Sequence, residues 1–211
     1  MYFTKSIITY VTMMILTIYL TISLGNKIEQ FIYSISKAGK AEFFLEKALV
    51  IFKQKWSKEN KKAVSQILAL SWKRFNLHPT KILAVWGHES GFKFTVVSKP
   101  NFDGSYDTGL GQINSNSYYW IYSNAKDFIV KNKIYDMYYI LKYKNLKNVR
   151  FNALLSAIHL GGLNKQFNNN HIAMLTAYNS GKPRQLYGKY LLYYNKVMKN
   201  YFLIVNEDNN V

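Results

Sequence analysis

The sequence predicts a mainly α-helical domain, interrupted once by a small hairpin or irregular loop and preceded by an N-terminal hydrophobic segment. Three observations carry this expectation. Apolar residues recur at helical spacing along most of the chain. One stretch, residues 99–114, breaks that spacing with clustered turn residues. Residues 6–26 carry no charge at all. A chain of 211 residues has room for one ordinary domain and a little more. At 49% hydrophobic and 18% charged residues it is too apolar for a disordered tail. Cysteine is absent, which excludes disulfide staples, thiol nucleophiles and Cys-based metal sites.

The elements follow in order. As a helix, residues 6–26 would reach roughly 31 Å, against a bilayer core of about 30 Å. Segment 1–25 is therefore either a retained membrane anchor or a signal peptide cleaved after Gly25, with Lys5 ahead of it and the small residues Ser23 and Gly25 near its end. Residues 26–58 read as a helical extension, with a helix over 42–56 that sets Phe43, Phe44, Leu45, Leu49, Val50 and Phe52 along one broad face. The main domain spans 59–203. Its first helix covers 59–75, where Val64, Ile67, Leu68, Leu70 and Trp72 recur at helical spacing. Pro79 suits the first turn of the next helix, which runs to about Ser90 and can end at Gly91. After the loop, helices are expected over 125–144, 151–160, 171–178 and 186–201. Residues 204–211 form a polar tail.

Net charge is +17, which raises nucleic acid or an anionic surface as a partner. The lysines are scattered rather than gathered, and abundant asparagine, isoleucine and tyrosine accompany them, so base composition of the gene accounts for the excess. No nucleic-acid motif is present, and no nucleic-acid partner is expected.

The chemistry concentrates where the helical pattern breaks. Glu89 follows Ile82, Leu83, Ala84, Val85 and Trp86 at the end of an apolar helix. A carboxyl facing the packed side there is desolvated, stays protonated near neutral pH and can protonate a leaving oxygen, as cleavage of a glycosidic bond requires. Read alone, Glu89 reads more readily as a solvated residue near a helix end, and the segments around it change that. His88 and His159 have no partner spacing for a metal and read as structural or surface residues; no metal or cofactor is expected.

His88-Glu89-Ser90-Gly91-Phe92 is followed by Val96-Val97-Ser98, by Gly109-Leu110-Gly111-Gln112-Ile113-Asn114 and by Ala177-Tyr178-Asn179-Ser180-Gly181. Together these segments resemble the lytic transglycosylase catalytic domain of the lysozyme-like superfamily, over roughly residues 60–200. The run from Asn101 to Gly109 is similar to that of the small transglycosylases that accompany type III and type IV secretion systems, and also to c-type lysozymes. The resemblance implies a lysozyme-like (α+β) fold and a peptidoglycan-cleaving enzyme acting outside the cytoplasm. It would cut the bond between N-acetylmuramic acid and N-acetylglucosamine, form a 1,6-anhydro product and open the wall locally. It implies Glu89 as catalytic acid and base and Asp107 as a second catalytic carboxylate, where an Asx-turn role competes. Ser98, Gln112 and Asn114 would support the glutamate and line the cleft, joined by Tyr178, for which a core role competes, and Asn179. Gly111 departs from the methionine usual in the family and would loosen the cleft floor. Tyr118, Tyr119 and Trp120 could stack on sugar rings. The implied partners are peptidoglycan strands, with a secretion, conjugation or phage apparatus and the membrane in view. A lysozyme-type hydrolase and a non-catalytic glycan-binding assembly protein remain the alternatives.

Overall fold

The computed structural model of the chain describes residues 19, 22–25 and 37–206. It divides into two compact units, Met1–Lys37 and Ala38–Val211. In the first, residues 19, 22–25 and 37 are helical; the rest of the proposed anchor or signal segment, and most of the tail, lie outside the described residues. No helix among the described residues is long and apolar enough to cross a membrane.

The second unit is a bundle of helices with one short hairpin. Within it residues 38–51 form α1, which stops earlier than its apolar pattern suggests. Lys53 turns left-handed (φ 54°), and the N–H groups of Lys53 and Gln54 close back on the carbonyls of Val50 and Leu49. Sequence placed this helix in an extension ahead of the main domain, yet Ala41, Leu45, Ala48 and Leu49 are buried in the same core as the later helices.

α2 (Lys58–Phe75) starts at Ser57, whose hydroxyl accepts the Asn60 N–H, and ends at left-handed Asn76. α3 (Pro79–Ser90) has proline in its first turn and closes at left-handed Gly91. The hairpin pairs β1 (Asp107–Thr108) with β2 (Ile113–Asn114), in the register Asp107 with Asn114 and Thr108 with Ile113.

The single helix expected over 125–144 is in fact α4 (Tyr118–Lys131), α5 (Tyr135–Tyr138) and a 3₁₀ turn, Ile140–Tyr143. The break is another left-handed lysine, Lys133 (φ 54°), with Ile134 N–H returning to Ile129 and the Asn132 side chain capping the Phe128 carbonyl. α6 (Val149–Gln166) opens at Asn148, whose side chain accepts from the N–H groups of Arg150 and Phe151. It is buried nearly all round and packs chiefly on α2, with α4 and α7 (His171–Ser180) beside it. α8 (Gly188–Asn206) packs on α3 and continues into the expected tail, because Ile204 is buried against the core.

Candidate active site

The hairpin is held against the helices by polar bonds that would be costly to leave unmade in a core. Buried Asn152 on α6 does most of this. Its Oδ1 accepts the Gly111 N–H at 2.7 Å, and its Nδ2 donates to the carbonyls of Thr108 (2.8 Å) and Leu146 (3.0 Å). Ser90 at the end of α3 donates to the Leu110 carbonyl at 2.9 Å, and Tyr178 on α7 donates to the Gly111 carbonyl at 2.6 Å. Trp86 on α3 donates to Ser156 on α6 at 3.0 Å. The end of α3, the hairpin turn, α6 and α7 are thus one fastened unit.

This unit borders a cleft of about 1000 Å³, and Glu89 lies on its floor. The carboxyl is partly open to the cleft but largely enclosed by protein. Burial raises its pKa to about 7 and the nearby charge of Asp107 pushes the same way, while a hydrogen bond from Tyr193 partly offsets both. That bond runs from the Tyr193 hydroxyl on α8 to Glu89 Oε1 at 2.7 Å. Burial also keeps the Tyr178 and Tyr193 hydroxyls protonated well above the ordinary tyrosine range, with the charge of Glu89 adding to the effect, so both remain donors.

Asp107 lies on the hairpin in a different setting. Its Oδ1 accepts from Asn114 at 2.9 Å and its Oδ2 from Asn101 at 3.4 Å. Asn114 also donates to Ser105, at 2.9 Å. One carboxyl is therefore enclosed by protein with a single phenol bonded to it, and the other is held by two amides.

Glu89, Asp107, Gln112, Asn114, Tyr178 and Asn179 all line the cleft. Gln112 is strained into a left-handed turn (φ 47°) and its amide donates to the Gly109 carbonyl, so it shapes the turn as well as the wall. Ser98 does not line the cleft. Its hydroxyl accepts the Asp107 N–H at 2.9 Å and donates to the Lys99 carbonyl, which makes it a fastener of the strand that carries Asp107. Nor does Gly111 loosen the floor. A Cβ there would collide with Ser156 and come within 2.8 Å of the Tyr178 hydroxyl, so glycine is what lets the turn close on α6 and α7.

Two residues at the site lay outside the sequence expectation, Tyr193 behind Glu89 and His159 in the cleft. Tyr193 shares the buried face of α8 with Val197 and Ile204, and a hydroxyl on such a face needs a partner. His159, read as a structural or surface residue, is largely enclosed and lines the cleft. It reaches the cleft between Trp120 and Tyr178, with ring centroids at 5.5 and 5.4 Å, and burial lowers its pKa to about 4, so it is neutral.

A helical frame with one short hairpin, and a shielded glutamate where the two meet, is the architecture of the lysozyme-like α+β class. The family model described as the transglycosylase SLT domain matches residues 66–191, and the chain belongs to that family. Family membership supports lytic transglycosylase activity on peptidoglycan, a substrate outside the cytoplasm. A comparison with curated proteins finds no match.

Proposed function

We propose that this chain cleaves the bond between N-acetylmuramic acid and N-acetylglucosamine and releases 1,6-anhydro ends, with Glu89 as acid and then base. The observation that carries the reading is the Glu89 carboxyl itself: on a cleft floor, bonded by one phenol and poised to change charge at about pH 7. Protonated, it gives its proton to the bridging oxygen as the bond to C1 breaks. The substrate's acetamido group stabilises the cationic centre, so no protein nucleophile is required. The resulting carboxylate takes the proton of the muramic acid C6 hydroxyl while O6 bonds to C1. The acid is restored and no water is consumed. Asp107, held by its amide donors, stabilises positive charge developing at C1 without bonding to it. Gln112, Asn114, Tyr178 and Asn179 bind the strand along the cleft, and local opening of the wall is the outcome.

The test is mass spectrometry of products from purified peptidoglycan. Anhydro ends are expected, whereas reducing ends carrying oxygen from solvent water would replace this reading with hydrolysis. Glu89→Gln is nearly isosteric but cannot supply a proton. It should cost at least the roughly hundred- to ten-thousand-fold typical of general acid–base catalysis, and activity within a few-fold of wild type would remove Glu89 from the role.

A further inference from the structure

Away from the cleft, α3, α7 and α8 line a separate cavity of about 220 Å³ that shares no residue with it. Its body is apolar. Met174 and Leu175 come from α7, and Tyr194, Val197, Met198 and Tyr201 from successive turns of α8. Lys81 of α3 and His171 of α7 also line it, with Lys81 Nζ 2.6 Å from His171 Nε2.

That pair lacks the usual company of a buried cation. A half-buried lysine normally meets a carboxylate, or lays its stem on apolar surface and leaves its head in water. Lys81 does neither. Its head turns to the His171 ring, its one protein acceptor among the described residues, and no carboxylate there forms an ion pair with either side chain. Burial lowers the pKa of Lys81, and burial together with the Lys81 charge lowers that of His171, so the histidine is neutral and accepts from the ammonium. An ammonium carries three donors. The cavity therefore joins an apolar body to a partly desolvated cation that has hydrogen bonds left to give.

We infer that this cavity binds a medium-chain fatty carboxylate, with its head on Lys81 and His171 and its chain along the walls from α7 and α8. Charge selects the head, because a desolvated cation without a counter-ion gains most from an anion it can hydrogen-bond. Shape and polarity select the rest. The volume lies below the roughly 300 Å³ at which pockets for drug-sized ligands begin, so the occupant is small. Two methionines, unbranched and adaptable, suit a flexible alkyl chain better than a rigid ring. A sugar would leave hydroxyls without partners against Met174, Leu175 and Val197, and inorganic phosphate would meet the cation but leave the apolar body empty. Once bound, the ligand ties α3 and α7 to α8 beside the bond from Asn200 to the Ala84 carbonyl, and so stabilises the native state.

The probe is octanoate, titrated into the full-length protein carrying ¹³C at its methionine methyl groups. The Met174 and Met198 signals should shift together and saturate, with a half-point on the order of 0.1 to 1 mM for a ligand of about ten non-hydrogen atoms. Met137, in α5, should not move. At about tenfold excess over that half-point the thermal midpoint should rise by about 3 to 6 °C. Octanol keeps the chain and acetate keeps the charge; each should bind at least about tenfold more weakly than octanoate, and octylammonium should not bind. Lys81→Met keeps the stem and removes the charge. It should weaken octanoate by at least about tenfold with no fall in the midpoint of the free protein, while Lys81→Arg should hold it within a few-fold. Signals of Met174 and Met198 that do not saturate, octanol binding as tightly as octanoate, or binding undiminished in Lys81→Met would each overturn the inference. A short peptide ending in leucine that binds more tightly than octanoate would also overturn it, in favour of a protein chain terminus. None of these outcomes bears on Glu89, which lies in the other cavity.

Discussion

Replacing Tyr193 by phenylalanine isolates what sets the protonation of Glu89. The ring and its edge contact with His88, at 4.9 Å between centroids, are kept, and only the 2.7 Å bond to Glu89 Oε1 is lost. That bond favours the carboxylate and offsets burial, so its removal must raise the pKa of Glu89 above about 7. A hydrogen bond to a charged group contributes about 1.5–3 kcal/mol, and one pKa unit is about 1.4 kcal/mol, so the rise is about one to two units. The first chemical step needs protonated Glu89, and activity therefore falls as pH rises through this pKa. In Tyr193→Phe the alkaline limb of kcat/KM should move up by about one to two pH units. The acid is then more abundant at pH 8, but the carboxylate formed in the transition state is less stabilised and the plateau drops. Solubilisation of purified peptidoglycan, followed from pH 5 to 9 for both proteins, reads the shift. An alkaline limb that stays in place or moves to lower pH would refute the argument, since either would mean that the phenol does not stabilise the charged form.

Glu89 should also register in stability. Its native pKa lies above its value of 4.5 in an unfolded chain, so the native state holds a proton that the unfolded state has lost between those values, and stability falls as pH rises from about 4.5 to about 7. Glu89→Gln removes that loss: urea unfolding should find the variant more stable than wild type at pH 8 by up to about 3 kcal/mol, with the gap closing toward pH 4. Gly111→Ala forces a methyl group against Ser156 and Tyr178 and should cost about 1–3 kcal/mol, visible as a lower thermal midpoint. Asp107→Asn should lower turnover well below wild type while leaving measurable activity, unlike Glu89→Gln; complete loss would give Asp107 an obligatory role.

The helical class and the single interruption were legible because both rest on local pattern: apolar periodicity on one side, clustered Asn, Asp and Gly on the other. Helix ends were less legible for one physical reason. α1 and α4 both close through a left-handed lysine, Lys53 and Lys133, where glycine or proline is the expected mark, and the bonds that favour such an ending are made by backbone groups rather than by a telltale side chain. Along the cleft, motif residues were legible as types but not as contacts. Ser98 sits in the right motif yet bonds to the backbone of Asp107, and Gly111, read as a loss of bulk, is instead the point of closest approach between the turn and α6. Tyr193 was hidden by company. Tyr190, Tyr194 and Tyr201 surround it on one helix, and only the burial of its face distinguishes it. His159, a lone histidine in a long buried helix, carried no spacing signal; its meaning comes from Trp120 and Tyr178, which arrive from α4 and α7.

The bond between Tyr193 and Glu89 joins residues 104 positions apart, and it has a consequence in time as well as space. Synthesis delivers the amino-terminal parts of a chain first. Glu89, the hairpin and the cleft-lining part of α7 can all be present before α8 exists, but until α8 docks, the acid has no phenol beside it and the back of α3 is open to water. Asn200 bonding to the Ala84 carbonyl, with Val197 and Ile204 buried on the same helix, helps to seat α8. The proton that the reaction depends on is therefore set by an element made after the rest of the site, and a nascent chain carries every cleft residue of the motif before it carries the partner that tunes them.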